Sequence, residues 1–208
     1  MLDRTMRAVL SGPLDAAAAA LDRPGITPDR LTVAGLVLAL ASAGAAAAQW
    51  WVVAVVLWLL SRVADGLDGT LARRRRARGE GGESEAGGFL DIAADFIAYG
   101  AGVFGVAWGA TAAFGIPWWP FLLVLLTYYV NGTAFLAFSS IAERTGRRID
   151  DGRSLSFLGR IAEGTETIVV HTLWLLLPFW AGWIALVWGV FVGISAVQRV
   201  VAGYRLLR

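Results

Sequence analysis

The sequence contains no cysteine and no lysine, and it has a single histidine. The lack of cysteine excludes disulfides, thiolate metal sites and cysteine nucleophiles. Charged residues make up only 16% of the chain, whereas 57% of the residues are hydrophobic and ten are tryptophan. This composition is typical of a membrane protein and not of a soluble enzyme. The 18 basic residues are all arginine and cluster beside apolar segments, so the pI near 9.5 indicates contact with a membrane surface and not with nucleic acid.

The N-terminal region lacks a short apolar core followed by a small-residue cleavage site, so we expect no removable signal peptide. Residues 1–24 are predicted to form a juxtamembrane amphipathic segment, because apolar residues recur at helical spacing despite Pro13. A loosely ordered tail is the alternative. The stretch ITPDRLT has the features of a helix start, and residues 25–208 are predicted to form one transmembrane domain.

Three long stretches of the chain carry no charge, namely residues 31–61, 96–142 and 167–198. Each is too long for one membrane crossing of about 20 residues and too short for two. Each stretch therefore predicts two helices joined by a turn, near residues 49–51, 115–117 and 178–182 respectively. The outer ends of each helix pair must then include charged residues. The predicted fold class is an all-α integral membrane protein, a six-helix transmembrane bundle with an N-terminal amphipathic surface helix.

The arginines predict the orientation of this bundle. They precede the first crossing and fill the loops between the second and third and between the fourth and fifth crossings. The positive-inside rule then predicts a multi-pass protein of the cell inner (cytoplasmic) membrane with both termini and both long loops cytoplasmic. Tryptophans mark the opposite interface: Trp50, Trp51, Trp118, Trp119 and Trp180.

Four carboxylates lie at the cytoplasmic ends of two predicted helices. Asp65 and Asp68 are three residues apart and Asp91 and Asp95 are four apart, so each pair shares one helix face. An acid at the centre of a membrane helix costs about 2.5 to 3.5 kcal/mol, so convergence of all four predicts a bound cation. Mg²⁺ or Mn²⁺ prefers such oxygen ligands. The alternative is that the acids are solvated at the interface or paired with Arg62 and Arg73.

The spacing of these acids resembles a family signature. Asp65-x-x-Asp68-Gly69-x-x-Ala72-Arg73, followed by Gly87-x-x-x-Asp91-x-x-x-Asp95, is similar to the motif of CDP-alcohol phosphatidyltransferases. The segment TPDRLT, residues 27–32, also resembles the start of the first helix in that family. One departure is that thirteen residues separate Arg73 from Gly87, where the family usually has about eight or nine.

The resemblance implies an enzyme that moves a phosphatidyl group from a CDP-linked lipid, such as CDP-diacylglycerol, to an alcohol acceptor and releases CMP. It implies that Asp65, Asp68 and Asp91 bind two Mg²⁺ or Mn²⁺ ions, and that Asp95 is both metal ligand and catalytic general base. It also implies a homodimer in the lipid bilayer. The residues implied to bind the CDP-lipid are Asp29, Thr32, Gly69, Ala72, Arg73, Ser84 and Gly87. For Asp29 and Thr32, helix capping is an equally good explanation.

The acceptor side is less defined. Arg160, Glu163 and Glu166 share one helix face, which fits either an internal ion pair or part of an acceptor pocket. The identity of the alcohol does not follow from the sequence. His171 is predicted to be a hydrogen-bonded structural residue, and Gly105 and Gly109 predict close helix packing, within the bundle or between subunits.

A cation transporter and a non-catalytic membrane scaffold are the alternatives to a transferase. Acids within membrane helices also mark cation transporters, but here all four acids lie toward one side of the predicted membrane. A non-catalytic membrane scaffold would leave the spacing of the Asp, Gly and Ala residues without an explanation.

Overall fold

A computed structural model describes residues 2–80, 84–145 and 164–208, with side chains described from residue 11 onward. These residues form seven α-helices and a short 3₁₀ turn, Pro178–Trp180. The helices are α1 (Leu2–Leu21), α2 (Pro28–Ala47), α3 (Trp51–Ala77), α4 (Glu85–Phe114), α5 (Trp119–Arg144), α6 (Gly164–Leu176) and α7 (Ala181–Leu207). The predicted all-α fold class is confirmed, and α2 to α7 correspond to the six predicted crossings.

Four segments of the described chain are long and apolar enough to cross a membrane: α2, α4, α5 and the segment Pro178–Leu207 that contains α7. Helix α3 is 27 residues long, but its last third is rich in charge. Helix α6 is described over 13 residues, from Gly164. Charged residues therefore distinguish α3 from the four apolar segments. The predicted acids Asp65 and Asp68 lie within this helix.

The helix ends follow the signals in the sequence. Thr27 caps α2, because its side chain accepts a hydrogen bond from the backbone N–H of Arg30 at 3.2 Å. Gln49 adopts a positive φ of 65° in the turn between α2 and α3, and Gly115 ends α4 in the left-handed conformation at φ 67°. Both turns lie where the uncharged stretches predict them.

Helix α2 packs against both α3 and α4, while α5 packs along α7. The approach of α2 to α4 depends on Gly105 and Gly109, because a Cβ at either position would overlap the backbone carbonyl of Ala43 or Ala46 on α2. The small-residue pair predicted for close packing therefore serves the interior of the bundle. Large side chains fill the remaining core, including Trp58, Val103, Val106, Phe121, Trp174 and Val192.

Helix α1 is attached to the end of α3. Leu14 lies against Gly66, where an added Cβ would be 3.4 Å from the leucine side chain. The Asp22 carboxylate accepts hydrogen bonds from Arg78 and, at 3.0 Å, from Arg75. The Arg78 bond, supported by Arg75, holds the pKa of Asp22 below its ordinary value. The stabilisation from this ion pair is therefore fully present above the usual pKa of aspartate, and it is lost as the pH falls from that value through the lowered pKa of the folded state.

Gly109 offers a direct test of the α2–α4 contact. In Gly109→Ala, the new methyl group would overlap the Ala46 carbonyl oxygen and lie 2.9 Å from the Trp51 ring. We expect a loss of about 2 kcal/mol or more, seen as a fall in Tm of at least about 4 °C by tryptophan fluorescence in detergent.

Gly100→Ala is the matched control, because Gly100 lies on the same helix with open space around its Cα. Alanine is the better helix former by about 0.5–1 kcal/mol, so the Tm of this variant should stay unchanged or rise slightly. A Gly109→Ala protein as stable as the control would show that α2 and α4 do not approach as described.

Candidate active site

A cavity of about 1030 Å³ opens at the end of the bundle where α3 ends and α4 begins. Its walls come from α2, α3, α4 and α5. Nine of the eleven residues implied by the family motif line it: Asp29, Thr32, Asp68, Gly69, Ala72, Arg73, Ser84, Gly87 and Asp91. Residues that are up to 62 positions apart in the chain therefore border one space, although the loop before Ser84 is longer than in the family.

Asp68 is the most buried of the four acids, with 5% of its surface exposed. The Thr32 hydroxyl on α2 donates to Asp68 Oδ2 at 2.5 Å, and the Gly69 backbone N–H donates to Oδ1 at 2.5 Å. Both carboxylate oxygens therefore have a donor, as a buried carboxylate requires. The Thr32 bond also ties α2 to α3, which places Thr32 beside the acids and does not make it a helix cap.

Asp65 and Asp95 do not line the cavity. Both face the guanidinium of Arg62, which donates to Asp95 Oδ1 at 2.9 Å and lies 3.5 Å from Asp65 Oδ1. The Arg62 side chain is only 7% exposed. Pairing with Arg62, one of the alternatives for these acids, is thus present, and it joins α3 to α4 across 33 positions of sequence.

The four acids are not arranged as a ready-made metal site. Within the part of the chain that the structure describes, no three acidic or histidine side chains have the spacing of a metal centre. The donor set nevertheless suits Mg²⁺ or Mn²⁺ by chemistry, since four carboxylates and the Thr32 hydroxyl are all hard oxygen ligands. The predicted metal site at Asp65, Asp68, Asp91 and Asp95 stays a prediction.

Small residues keep one side of the cavity open. Ser84 caps α4 by accepting from the Gly87 N–H at 2.8 Å, and a Cβ on Gly87 would lie 3.1 Å from Asp29 Oδ1. A Cβ on Gly69 would lie 3.2 Å from Arg73 Nη1. Side chains at these two glycines would crowd the Asp29 carboxylate and the Arg73 guanidinium, which both line the cavity.

One wall of the cavity was not predicted from the sequence. Leu136, Ser139, Ser140 and Glu143 line it from α5. Their spacing of three, four and seven residues places them on a single helix face. That polar face at the end of an apolar helix is the signal that could have identified them.

The predicted acceptor residues are only partly described. Arg160 and Glu163 lie outside the described residues. Glu166 lies in the first turn of α6 with a half-buried side chain, and it is not among the residues that line the cavity. The structure therefore does not test the acceptor side.

His171 is a core residue of α6 with 2% exposure. Its Nε2 lies 3.2 Å from the hydroxyl of Tyr128, which in turn accepts from Trp188 Nε1 at 2.7 Å. Its ring stacks on Trp58 with 5.0 Å between the centroids. These contacts match the predicted hydrogen-bonded structural role.

The cavity and its acids match a known family. The sequence profile described as CDP-alcohol phosphatidyltransferase matches residues 25–195, which is most of the chain. The chain belongs to the CDP-alcohol phosphatidyltransferase family. This confirms both the resemblance and the enzyme class predicted from the motif. The matched region extends from α2 through more than half of α7, and α1 lies outside it.

Several relatives of this phosphatidyltransferase are curated proteins. The inner membrane protein YnjF of Escherichia coli is 36% identical over 214 residues, covering 100% of this chain and 98% of its own. A phosphatidylinositol phosphate synthase of Mycolicibacterium smegmatis is 33% identical over 73% of this chain and 64% of that enzyme. An archaetidylinositol phosphate synthase of Pyrococcus horikoshii is 31% identical over 69% of this chain and 76% of its own. The apolar helices and the first relative indicate a multi-pass inner membrane protein.

Solved structures share the fold of this phosphatidyltransferase. Phosphatidylinositol phosphate synthase of Mycobacterium tuberculosis with CDP-DAG bound aligns with a TM-score of 0.70 and 22% identity over 92% of this chain and 93% of its own. The same enzyme in complex with manganese and citrate aligns with a TM-score of 0.68 and 23% identity, over 92% and 88% of the two chains. At this identity the comparison establishes the fold.

Thr32→Val tests the bond between α2 and Asp68. Valine keeps the shape of threonine but leaves the buried Asp68 Oδ2 without its donor, which should cost about 1–3 kcal/mol. Thermal unfolding in detergent should show a lower Tm. The matched control is Thr133→Val on α5, where the side chain is exposed and the expected change is within about 0.5 kcal/mol. Equal Tm values for the two variants would contradict the described contact.

Proposed function

We propose that this protein transfers a phosphatidyl group from a CDP-linked lipid such as CDP-diacylglycerol to an alcohol acceptor, with release of CMP. The observation that carries the proposal is the cavity between α2, α3, α4 and α5, which gathers nine of the eleven motif residues. The solved relative with CDP-DAG bound has the same fold, which supports a CDP-lipid as the donor.

The donor would bind with its nucleotide among the small residues of the cavity. Gly69, Ala72 and Gly87 lack the bulk to block approach to the backbone of α3 and α4. Arg73 presents a guanidinium beside them, which suits a phosphate oxygen. Phe89, Phe96 and Leu136 line the same cavity with apolar surface, which suits the start of a lipid chain.

Asp65, Asp68, Asp91 and Asp95 are the residues that would hold Mg²⁺ or Mn²⁺, with two ions expected. Bound divalent ions would neutralise the pyrophosphate and the charge that develops as the phosphorus is attacked. The manganese complex of the same relative supports this assignment. In this chain Thr32 and the Gly69 N–H orient Asp68, so that carboxylate needs little reorganisation.

Asp95 would act as the general base that takes the proton of the acceptor hydroxyl. Its side chain is 38% exposed, and Arg62 binds Oδ1. The other oxygen, Oδ2, would then accept the proton while Arg62 keeps the carboxylate oriented. General-base catalysis of this kind contributes about 10² to 10⁴ in rate.

The acceptor is proposed only as an alcohol. Two relatives are named as synthases of inositol phosphate lipids, so inositol phosphate is the first acceptor to test, followed by glycerol phosphate and serine. A cation transporter is not favoured, because Asp65 and Asp68 lie in the second half of α3, Asp91 and Asp95 lie in the first half of α4, and residues 31–61 carry no charge.

The proposed arrangement places both termini and the active site on the cytoplasmic side, where a CDP headgroup and a polar alcohol meet a lipid held in the bilayer. A homodimer is proposed from the family resemblance. A reporter that is active only in the cytoplasm should be active when it is fused to either terminus. A reporter that reads either terminus as external would contradict the arrangement.

Turnover should depend on a divalent cation. Purified protein with CDP-diacylglycerol and a panel of alcohols should release CMP with Mg²⁺ or Mn²⁺, and excess chelator should abolish this release. A matched reaction in which the chelator is saturated with added Mg²⁺ controls for direct effects of the chelator. Full CMP release in excess free chelator would contradict the metal-dependent mechanism.

Asp95→Asn should separate binding from turnover. Asparagine keeps the shape and one ligating oxygen but cannot take the acceptor proton, so turnover should fall by about 10² to 10⁴ while CDP-lipid affinity largely survives. Asp68→Asn and Asp91→Asn, in contrast, should weaken both metal binding and CDP-lipid binding. CDP-lipid affinity from thermal-shift titration, measured beside CMP release, distinguishes them. Near wild-type turnover in Asp95→Asn would exclude Asp95 as the base.

A further inference from the structure

His171, the only histidine of the chain, contacts two aromatic residues that in turn contact Arg62. Its ring stacks on Trp58 with 5.0 Å between the centroids, and it meets the Tyr99 ring at 5.3 Å and an angle of 67°. The Trp58 and Tyr99 rings also contact each other, with centroids 5.9 Å apart. These three residues, from α6, α3 and α4, are called the three-ring cluster below.

The three-ring cluster supports the guanidinium of Arg62. The guanidinium carbon lies 4.8 Å from the Trp58 ring centroid and 5.3 Å from that of Tyr99, as in a cation–π contact. Trp58 and Arg62 are four residues apart and share one face of α3, and Asp95 and Tyr99 do the same on α4. The guanidinium is therefore held by two rings on one side, and it donates to Asp95 Oδ1 at 2.9 Å on the other.

Hydrogen bonds fix the His171 ring within this cluster. Trp58 Nε1 donates to Thr172 Oγ1 at 3.2 Å, so α3 is bonded to the residue next to His171. The Tyr128 hydroxyl accepts from Trp188 Nε1 at 2.7 Å and lies 3.2 Å from His171 Nε2. Because the Tyr128 oxygen accepts from the indole, its own proton is available for Nε2. The histidine ring thus has neighbours on α3, α4 and α5 that determine its orientation.

We propose that His171 is a positioning residue for the proposed general base. It holds the Trp58 and Tyr99 rings in place. Those rings hold the Arg62 guanidinium, which fixes one oxygen of the Asp95 carboxylate. This inference rests on the proposed function, in which the other oxygen takes the proton of the acceptor hydroxyl.

The physical reason is that the three rings pack on one another in a close-packed core. A ring that loses the neighbour on one face loses its dispersion contacts there, and surrounding side chains shift toward the space. Loss of the His171 ring would therefore let Trp58 and Tyr99 move, and the guanidinium with them. Misplacement of a reacting group by about 1 Å can lower the rate by about 10². Turnover should depend on His171 although this residue does not line the cavity.

The test compares two variants of His171 in purified full-length protein with Mg²⁺ and CDP-diacylglycerol. The acceptor is the most active of inositol phosphate, glycerol phosphate and serine. His171→Leu removes the ring, so kcat for CMP release should fall by about tenfold or more, while KM for CDP-diacylglycerol changes by less than about threefold. His171→Phe keeps a ring against Trp58 and Tyr99, so its kcat should stay within about threefold of wild type.

Phe121→Leu is the matched control for a loss of core packing. Phe121 is 1% exposed and packs on Trp174 with 6.4 Å between the centroids, but it lies outside the three-ring cluster. Its Tm should fall as in His171→Leu, whereas its kcat, measured well below both transitions, should match wild type. His171→Met serves if His171→Leu does not fold, because methionine fills irregular space without providing a ring.

A second measurement asks whether His171 acts through Asp95. A positioning residue has an effect only while the group that it positions is functional. His171→Leu should therefore change kcat by less than about twofold when it is introduced into Asp95→Asn, in contrast to the tenfold loss in the wild type. Residues that contribute to catalysis independently of each other would show the same loss in both backgrounds.

Several results would overturn this proposal while leaving the transferase intact. They are a kcat in His171→Leu equal to that of Phe121→Leu, an equally large loss in His171→Phe, an equal loss in the wild type and in Asp95→Asn, or a loss expressed in KM alone. Failure of both the leucine and the methionine variant to fold would assign the ring to stability alone. No CMP release by the wild type with any of the three acceptors would instead refute the proposed function.

Discussion

Carboxylates placed inside a bundle of apolar helices need partners, because an uncompensated acid there costs several kcal/mol. Asp68 obtains them from Thr32 on α2 and from the backbone of Gly69. Asp65 and Asp95 obtain them from Arg62, which is in turn held by Trp58 and Tyr99. These contacts join α2, α3 and α4 at one end of the bundle. The same interactions therefore compensate the buried charges and hold the residues of the candidate site together.

This arrangement requires α2 to lie close to both neighbouring helices. Gly105 and Gly109 allow α4 to contact the backbone of α2 near Ala43 and Ala46, and Gly35 faces α3, where an added Cβ would be 3.2 Å from the Ser61 carbonyl oxygen. Close packing deep in the bundle therefore determines where the start of α2 lies, and with it Thr32 and Asp29. The position of the cavity wall therefore depends on Gly35, which lies within one helical turn of Thr32, and on Gly105 and Gly109, which lie more than two turns from the residues that line the cavity.

Much of the fold follows from where the charges lie in the sequence. The uncharged stretches predict turns near Gln49 and Gly115, and the family resemblance implies eleven site residues, nine of which line one cavity in the structure. The bridge from Arg62 to Asp95 was beyond sequence reasoning, because it depends on the rotation of α3 against α4. The α5 wall at Ser139 and Glu143 was missed for a related reason: hydropathy identifies an apolar helix but does not show which face meets its neighbours. The acceptor side near Arg160 and Glu163 stays a prediction.

We propose that the aspartates of α3 and α4 hold the cations that act on a CDP-linked lipid. Anomalous diffraction from crystals grown with Mn²⁺ and CDP-diacylglycerol tests it most directly, because the manganese signal locates the ion without reference to activity. We expect an anomalous peak within about 2.0–2.6 Å of carboxylate oxygens of Asp68 and Asp91, beside the pyrophosphate of the lipid. Bound CDP-diacylglycerol with no manganese peak at these aspartates, or with manganese held by other residues, would contradict it.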